Sequence, residues 1–270
     1  MSKPRDLLSE FDINQPNPAR MYDYMLGGYH NFEADRVAAR NFVEILPNAP
    51  LFMRTNRAFL RRVVSYLTDS GIDQFLDIGS GLPTVGSVHE ILQEKNPSAR
   101  VVYVDIDPVA VRHTEEILKG NAKAIAIQGD LRQPEAILEH PDVRRMLAFD
   151  KPIAVLLLSI LLFVTEDEEA YRVVRVLREH LAPGSYVAIS HPTSKGVSPE
   201  EEKRGKALYA AIGSPVNVRS RAQIERFFDG LELVDPGLDH LPLWRPEGPT
   251  DLFLDQPESS QYYGGVGRKS

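Results

Sequence analysis

The segment Phe75 to Val88, FLDIGSGLPTVGSV, joins an apolar strand to a glycine-rich turn and the start of a helix. Gly79 and Gly81, on either side of Ser80, let the backbone turn tightly and approach a ligand with no Cβ in between. The free N–H groups at the start of the following helix then face that ligand. A lone glycine pair says little, so the downstream spacing matters. Val101 to Val104 forms a second, β-branched run ending in Asp105, and Ala124 to Gln128 forms a third leading into Gly129-Asp130-Leu131. Asp105 and Asp130 stand 28 and 53 residues after Asp77. In a strand–helix–strand unit, a carboxylate at the second strand tip accepts both hydroxyls of a ribose. The third tip can meet the base, with Asp130 accepting from an adenine amino group and Leu131 beside it. The chemistry implied is that of a nucleotide cofactor held along a row of acidic strand ends.

The details narrow the cofactor. A dinucleotide fingerprint calls for a third glycine at position 84, where this chain has Thr84. Asp77 precedes the glycines, where a carboxylate repels a pyrophosphate but suits a ligand carrying a positive amino group. S-adenosylmethionine has such a group, and NAD is disfavoured. Asp107 competes with Asp105 for the ribose, but it also stands where it would cap the helix that Pro108 begins, so Asp105 is favoured. Ile106 covers one face of the adenine or, equally simply, is a core isoleucine.

Through DIGSGLPT, YVDID and QGDL the chain resembles the class I S-adenosylmethionine-dependent methyltransferases from Gln74 to about His191. A narrower resemblance spans nearly the whole chain. NPARMYDYMLGGYHNFEADR (Asn17 to Arg36), LDIGSGLPTVGSVHE, VVYVDIDP and the tail YYGGVGRK look like the actinobacterial S-adenosyl methyltransferase family formerly catalogued as a domain of unknown function. That resemblance implies an α/β, Rossmann-like, doubly wound and mostly parallel seven-stranded sheet, with S-adenosylmethionine as cofactor. It implies little about the acceptor. One departure stands out: where a histidine is expected after the fourth strand, the chain reads Leu161-Leu162-Phe163.

The elements that must position these residues follow from periodicity. From Gln74, strands at 74–79, 101–106, 123–128, 152–159 and 185–191 alternate with helices at 84–95, 108–119, 134–147 and 166–181, the pattern of a parallel sheet covered on both faces. The uninterrupted apolar run from Ile153 to Leu158 belongs at its centre. Ahead of it, residues 1–72 form an arm and a helical extension capping the site, with helices opened by Asn17-Pro18 and running over Glu33–Leu46 and Leu51–Thr68; residues 73–270 form the cofactor-binding domain. The resemblance also implies that Tyr262 to Val266 pairs as an antiparallel edge strand. Arg54, Arg57, Arg61 and Arg62 read as a solvated helix face.

Composition excludes several classes. Against 31 basic residues stand 38 acidic ones, a net charge of −7 that argues against nucleic acid or anionic membrane as partner. No cysteine is present, which removes disulfides, thiolate catalysis and cysteine-based zinc sites, and no His/Asp/Glu cluster has metal spacing. The longest apolar run is too short to span a bilayer and the N-terminus lacks the apolar core of a signal peptide. A cytoplasmic protein, monomer or homodimer, is the expectation.

Catalytic candidates come from the aromatic segment Met21 to Phe32. It is expected to fold over the cofactor mouth, with Tyr22 and Tyr29 as walls and His30 near the transferred methyl; aromatic packing of the extension on the sheet competes with this. Arg20 matches the charge of the methionine carboxylate. Ser159, at the end of the fourth strand, joins the cofactor set and sits where this fold commonly places acceptor contacts; a serine bonding its own backbone is the alternative. The order of candidate bases is His30, Tyr22, His191. The expected activity is methyl transfer to oxygen or nitrogen of a small molecule. The rival is a non-catalytic S-adenosylmethionine-binding sensor.

Overall fold

The computed structural model describes residues 13–82, 86–249 and 251–270. Three helices come first: α1 (Pro18–Met25), α2 (Glu33–Ile45) and α3 (Ala49–Asp69). Strands and helices then alternate: β1 (Gln74–Ile78), α4 (Val88–Lys95), β2 (Arg100–Asp105), α5 (Pro108–Ile117), β3 (Ala124–Gln128), α6 (Pro134–Glu139), α7 (Pro141–Met146), β4 (Ala154–Leu158), α8 (Asp167–His180) and β5 (Tyr186–Pro192). The remainder contains α9 (Pro199–Ala211), α10 (Arg221–Glu225), β6 (Glu232–Leu233), β7 (Asp239–His240) and β8 (Tyr262–Arg268).

The strands make one sheet in the order β3-β2-β1-β4-β5-β8-β6, with β7 also paired to β8. The first five run parallel and β8 runs antiparallel to β5. The crossovers put helices on both faces, as parallel pairing requires. Alternation along β1 shows it: Phe75 joins the core beneath α3, whereas Leu76 and Ile78 join the core beneath α8.

The sheet departs from expectation in three places. The two residues of β7 make it eight-stranded rather than seven-stranded. The helix expected over 134–147 is two helices, because Pro141 cannot continue the first and holds His140 in an extended conformation with ψ 130°. β8 is an inner strand: its far side is taken by β6 and β7. Its glycines permit this burial. At Gly264 a Cβ would fall 2.4 Å from Leu241 and 2.8 Å from Phe59.

The helices ahead of β1 have no separate core. Met21, Phe42, Phe59 and Val63 share one apolar cluster with Phe75 and Val101 of the sheet. The corner between α1 and α2 is folded about a single carboxylate. Asp35 accepts from the backbone N–H of Asn17 and of Phe32, each at 2.8 Å, and from Arg20 Nε at 2.9 Å. Arg20 also donates to Asp107 Oδ2 at 3.3 Å and to the Gln15 carbonyl at 2.6 Å. Asp107 is the N-cap of α5, so this buried cluster fastens α1 to the tip of β2. Among the described residues no helix is long and apolar enough to cross a membrane.

Removing one member of a buried ion cluster leaves uncompensated charge, which costs about 3 kcal/mol or more. Arg20→Met is therefore expected to lower the unfolding free energy by about that amount in urea titrations. Wild-type stability in that variant would contradict the structural role assigned to Arg20.

Candidate active site

One cavity of about 460 Å³ opens at the carboxyl ends of β1, β2, β3 and β4, the crevice where open α/β sheets bind ligands. Its floor is the turn after β1. Gly79 has φ 73°, and a Cβ there would come within 2.3 Å of Ile160, so only glycine fits. The backbone N–H groups of Gly79 and Ser80 donate to the Val104 carbonyl at 2.7 and 3.1 Å. The N–H of Gly81 donates to Asp105 Oδ2 at 2.7 Å. Through these bonds the turn after β1 is tied to the end of β2.

Asp105 Oδ1 accepts from the Asp107 N–H at 2.9 Å, which aims the carboxylate along the strand end. Asp107 itself caps α5 through Val109 and pairs with Arg20, so it is already engaged and does not line the cavity. Beside Asp105, Ile106 is 52% exposed, a large apolar side chain left open on the cavity wall. Across the cavity, Arg132 folds over Asp130 with bonds of 2.7 to 3.0 Å and holds its carboxyl below the usual range.

Asp77 sits deepest. Burial lifts its pKa to about 7, opposed by the Arg57 guanidinium and reinforced by the Asp105 charge. Burial lifts Asp105 to about 6, although the N–H groups of Asp107 and Gly81 favour its ionised form. Two desolvated carboxylates at neighbouring tips make a site that a cationic ligand would relieve.

Tyr22, Asp77, Gly79, Ser80, Gly81, Asp105, Ile106, Asp130, Leu131 and Ser159 all line this cavity. Other candidates stand elsewhere. Arg20 is outside the lining, its guanidinium consumed by Asp35, Asp107 and Gln15, so it is not free to meet a methionine carboxylate. His30 is also outside it; its ring packs 3.7 Å, centroid to centroid, from that of His113, because the turn after α1 carries it over α5. Tyr29 is 85% exposed and walls nothing. His191 is fully buried, with Nδ1 bonded to the Pro192 carbonyl at 2.8 Å and Nε2 facing Arg219 Nη1 at 3.1 Å. Burial, with the Arg219 charge, pushes its pKa down to about 3, and it has no lone pair left to act as a base. Tyr22 lines the cavity, but its hydroxyl donates to the Met53 carbonyl at 3.0 Å and accepts from Asn56. Burial raises its pKa, which suits a wall and not a base. Thr84 lies outside the described residues.

Two residues were misjudged from sequence. Arg57 lines the cavity beside Asp77, and Arg62 is buried, donating to the carbonyls of Leu241 and Trp244 at 2.7 and 2.8 Å. Met53, Arg57 and Leu60 lie on one stripe of α3 that faces the cavity. A charged residue in register with an apolar stripe was the available signal.

A doubly wound sheet with this crevice and these acidic tips defines an adenosyl-cofactor enzyme fold. The family described as S-adenosyl methyltransferase matches residues 5–270, and the chain belongs to it. A solved DUF574 family protein from Streptomyces avermitilis shares 37% identity, with a TM-score of 0.90 over 96% of this chain and 99% of its own. A candidate methyltransferase of Thermobifida fusca YX shares 39% identity, with a TM-score of 0.90 over 99% of this chain and 100% of its own. An O-methyltransferase family protein from Burkholderia thailandensis shares the fold at 14% identity, with a TM-score of 0.53 over 97% of this chain and 67% of its own. No curated protein matches the chain. The family's cofactor is S-adenosylmethionine, and the residues lining the cavity are compatible with it: a buried acid, a strand-tip carboxylate and an exposed isoleucine suit an amino group, a ribose and a base respectively.

An ammonium group seated on Asp77 would require its ionised form, so below pH 7 such a ligand would have to displace a proton. Calorimetry with S-adenosylhomocysteine is expected to show affinity falling about tenfold per pH unit below 7, more steeply once Asp105 also protonates near 6. In the ligand-free protein, both acids hold protons to higher pH when folded than when unfolded. Stability should therefore fall as pH rises from about 4 to 7. Asp77→Asn should bind weakly and lose the fall between pH 7 and 6, keeping only the Asp105 step near 6; a flat wild-type profile would contradict the assignment.

Proposed function

We propose that this chain transfers the methyl group of S-adenosylmethionine to oxygen or nitrogen of a small-molecule acceptor. The observation that carries this reading is the continuity of the cavity. Besides its acidic strand tips, the same cavity is lined by Phe42, Phe52, Met53, Leu162, Phe163 and Tyr209, an aromatic chamber continuous with them. The chamber is enclosed by α2, α3 and α9, elements outside the alternating strand–helix core. Apolar and aromatic walls with few polar groups are what a small organic ligand needs.

When bound, S-adenosylmethionine supplies a methyl carbon made electrophilic by its sulfonium. The chain's residues supply position and dryness. Asp77 holds the amino group, Asp105 the ribose hydroxyls, and Ile106 and Leu131 flank the base. Arg57 lines the cavity and its charge acts on Asp77, which supports it, in the stead of Arg20, as the cation for the methionine carboxylate. Tyr22 of α1 and Leu26, just after the helix, line the near side, and water exclusion there favours in-line attack.

A second reading, a cofactor-binding sensor, keeps one observation in its favour. Among the described residues no histidine lines the cavity, and Leu162 and Phe163 occupy the wall where one was expected. Turnover separates the readings. The methyltransferase reading expects calorimetric binding of S-adenosylmethionine and S-adenosylhomocysteine, none of NAD, and radiolabelled methyl incorporation into a member of a metabolite panel. Absence of binding by both adenosyl ligands would overturn it, and binding with no transfer to any aromatic acceptor would favour the sensor. Arg57→Gln should weaken S-adenosylhomocysteine binding about tenfold, the loss of one charge-assisted hydrogen bond pair; unchanged affinity would remove Arg57 from the site.

A further inference from the structure

Behind the glycine turn lies a second, much smaller cavity of about 10 Å³, the size of one water molecule. Among the described residues its walls include Arg57, Asp77, Ser87, Tyr103 and Thr114. Asp77 and Tyr103 are paired in register on β1 and β2, so their side chains stand side by side on one face of the sheet. Asp77 also lines the large cavity, and Tyr103 does not. Asp77 is thus a partition, with the cofactor site in front of it and this small polar space behind.

Tyr103 is buried and held firmly. Its hydroxyl accepts the backbone N–H of His89 at 2.8 Å, one of the donors left over at the start of α4. The same oxygen lies 2.8 Å from His89 Nδ1, which Ser87 Oγ approaches at 3.1 Å. Burial raises the pKa of Tyr103 and lowers that of His89, so both are neutral at pH 7. Asp77 is buried without such support. Among the described residues none donates a hydrogen bond to its carboxylate, and only the charges of Arg57 and Asp105 act on it.

A buried carboxylate without a hydrogen bond is costly, and a water in a polar cavity is the usual remedy. Here such a water has partners for its bonds. It can donate to Asp77, and Arg57 in the same wall is a donor for its oxygen. The His89 tautomer decides whether Tyr103 donates to that water or accepts from it, and in both cases the hydroxyl anchors it. A metal cation suits the space less, because the Arg57 guanidinium already stands in its wall.

Resting on the reading of Asp77 as the seat of the cofactor's amino group, we propose that this cavity is a site for one buried water, anchored by Tyr103, that donates a hydrogen bond to the rear of Asp77 and so favours its ionised form. Tyr103 is a positioning residue, acting through the water, and His89 stands one step further back by fixing the hydroxyl. The charged and titratable groups that face Asp77 are then Arg57 from α3, Asp105 and Tyr103 from β2, and His89 from α4 behind Tyr103.

The test is the pH profile of S-adenosylhomocysteine binding to the full-length Tyr103→Phe variant, which keeps the ring and removes the anchoring oxygen. Loss of a hydrogen bond to a charged group is worth about tenfold, so the fall in affinity should begin about one pH unit higher than in the wild type. Above that range Asp77 is ionised in both proteins, and the two affinities should converge. A role confined to holding α4 would weaken binding equally at every pH. That outcome, or a profile superimposable on the wild type, would overturn the proposal alone. If the variant does not fold, a high-resolution crystal structure of the wild-type chain with S-adenosylhomocysteine decides: an ordered water within hydrogen-bond reach of both Asp77 and the Tyr103 hydroxyl supports the proposal, and a site without one overturns it. Failure of the wild type to bind S-adenosylhomocysteine, or a flat wild-type profile, would instead overturn the reading of Asp77, and this inference with it.

Discussion

Two carboxylates buried side by side at the tips of β1 and β2 are the constraint around which the rest is arranged. Asp77 and Asp105 are each less than a tenth exposed, and burial pushes both pKa values well above the ordinary carboxylate range. Such groups cost stability unless hydrogen bonds or a cation offset them. The chain answers with backbone N–H groups on Asp105 and the Arg57 guanidinium near Asp77. What remains uncompensated is available to a ligand that carries positive charge and vicinal hydroxyls. The glycine turn, the strand order and the cap of α1 all serve to keep these two groups adjacent and dry.

That the three acids share one cavity edge was legible because they sit at strand ends, where position follows from strand period and helix length. Asp77, Asp105 and Asp130 are spaced by the two crossovers between them, and parallel pairing in register brings them to one edge. Asp105 and not Asp107 faces the cavity for a local physical reason: Asp107 spends one oxygen on the head of α5 and the other on Arg20.

The N-terminal segment was legible as helices but not as contacts. Periodicity places α1 between Asn17 and the two glycines, yet it says nothing about which way the following turn points. That turn throws Tyr29 into solvent and sets His30 against His113. Arg20 illustrates the same gap, since its partner Asp107 lies 87 residues away and only tertiary packing brings them together. His191 ends a strand as expected, but on the side where Arg219 and Phe227 bury it. Arg57 was hidden by its neighbours: among four arginines on one helix, charge alone did not mark the one that faces inward. The inner place of β8 was likewise invisible, because antiparallel β6 and β7 are two residues long and carry almost no pattern.

The central claim is that one cavity holds the adenosyl cofactor on the acidic strand tips and the acceptor in the adjoining aromatic chamber. A crystal structure with S-adenosylhomocysteine bound tests it most directly. The account predicts the amino group at Asp77, the ribose at Asp105, the adenine against Ile106 and the sulfur facing the chamber lined by Ser159, Phe163 and Tyr262. A ligand bound elsewhere, or with its sulfur turned from that chamber, would contradict it.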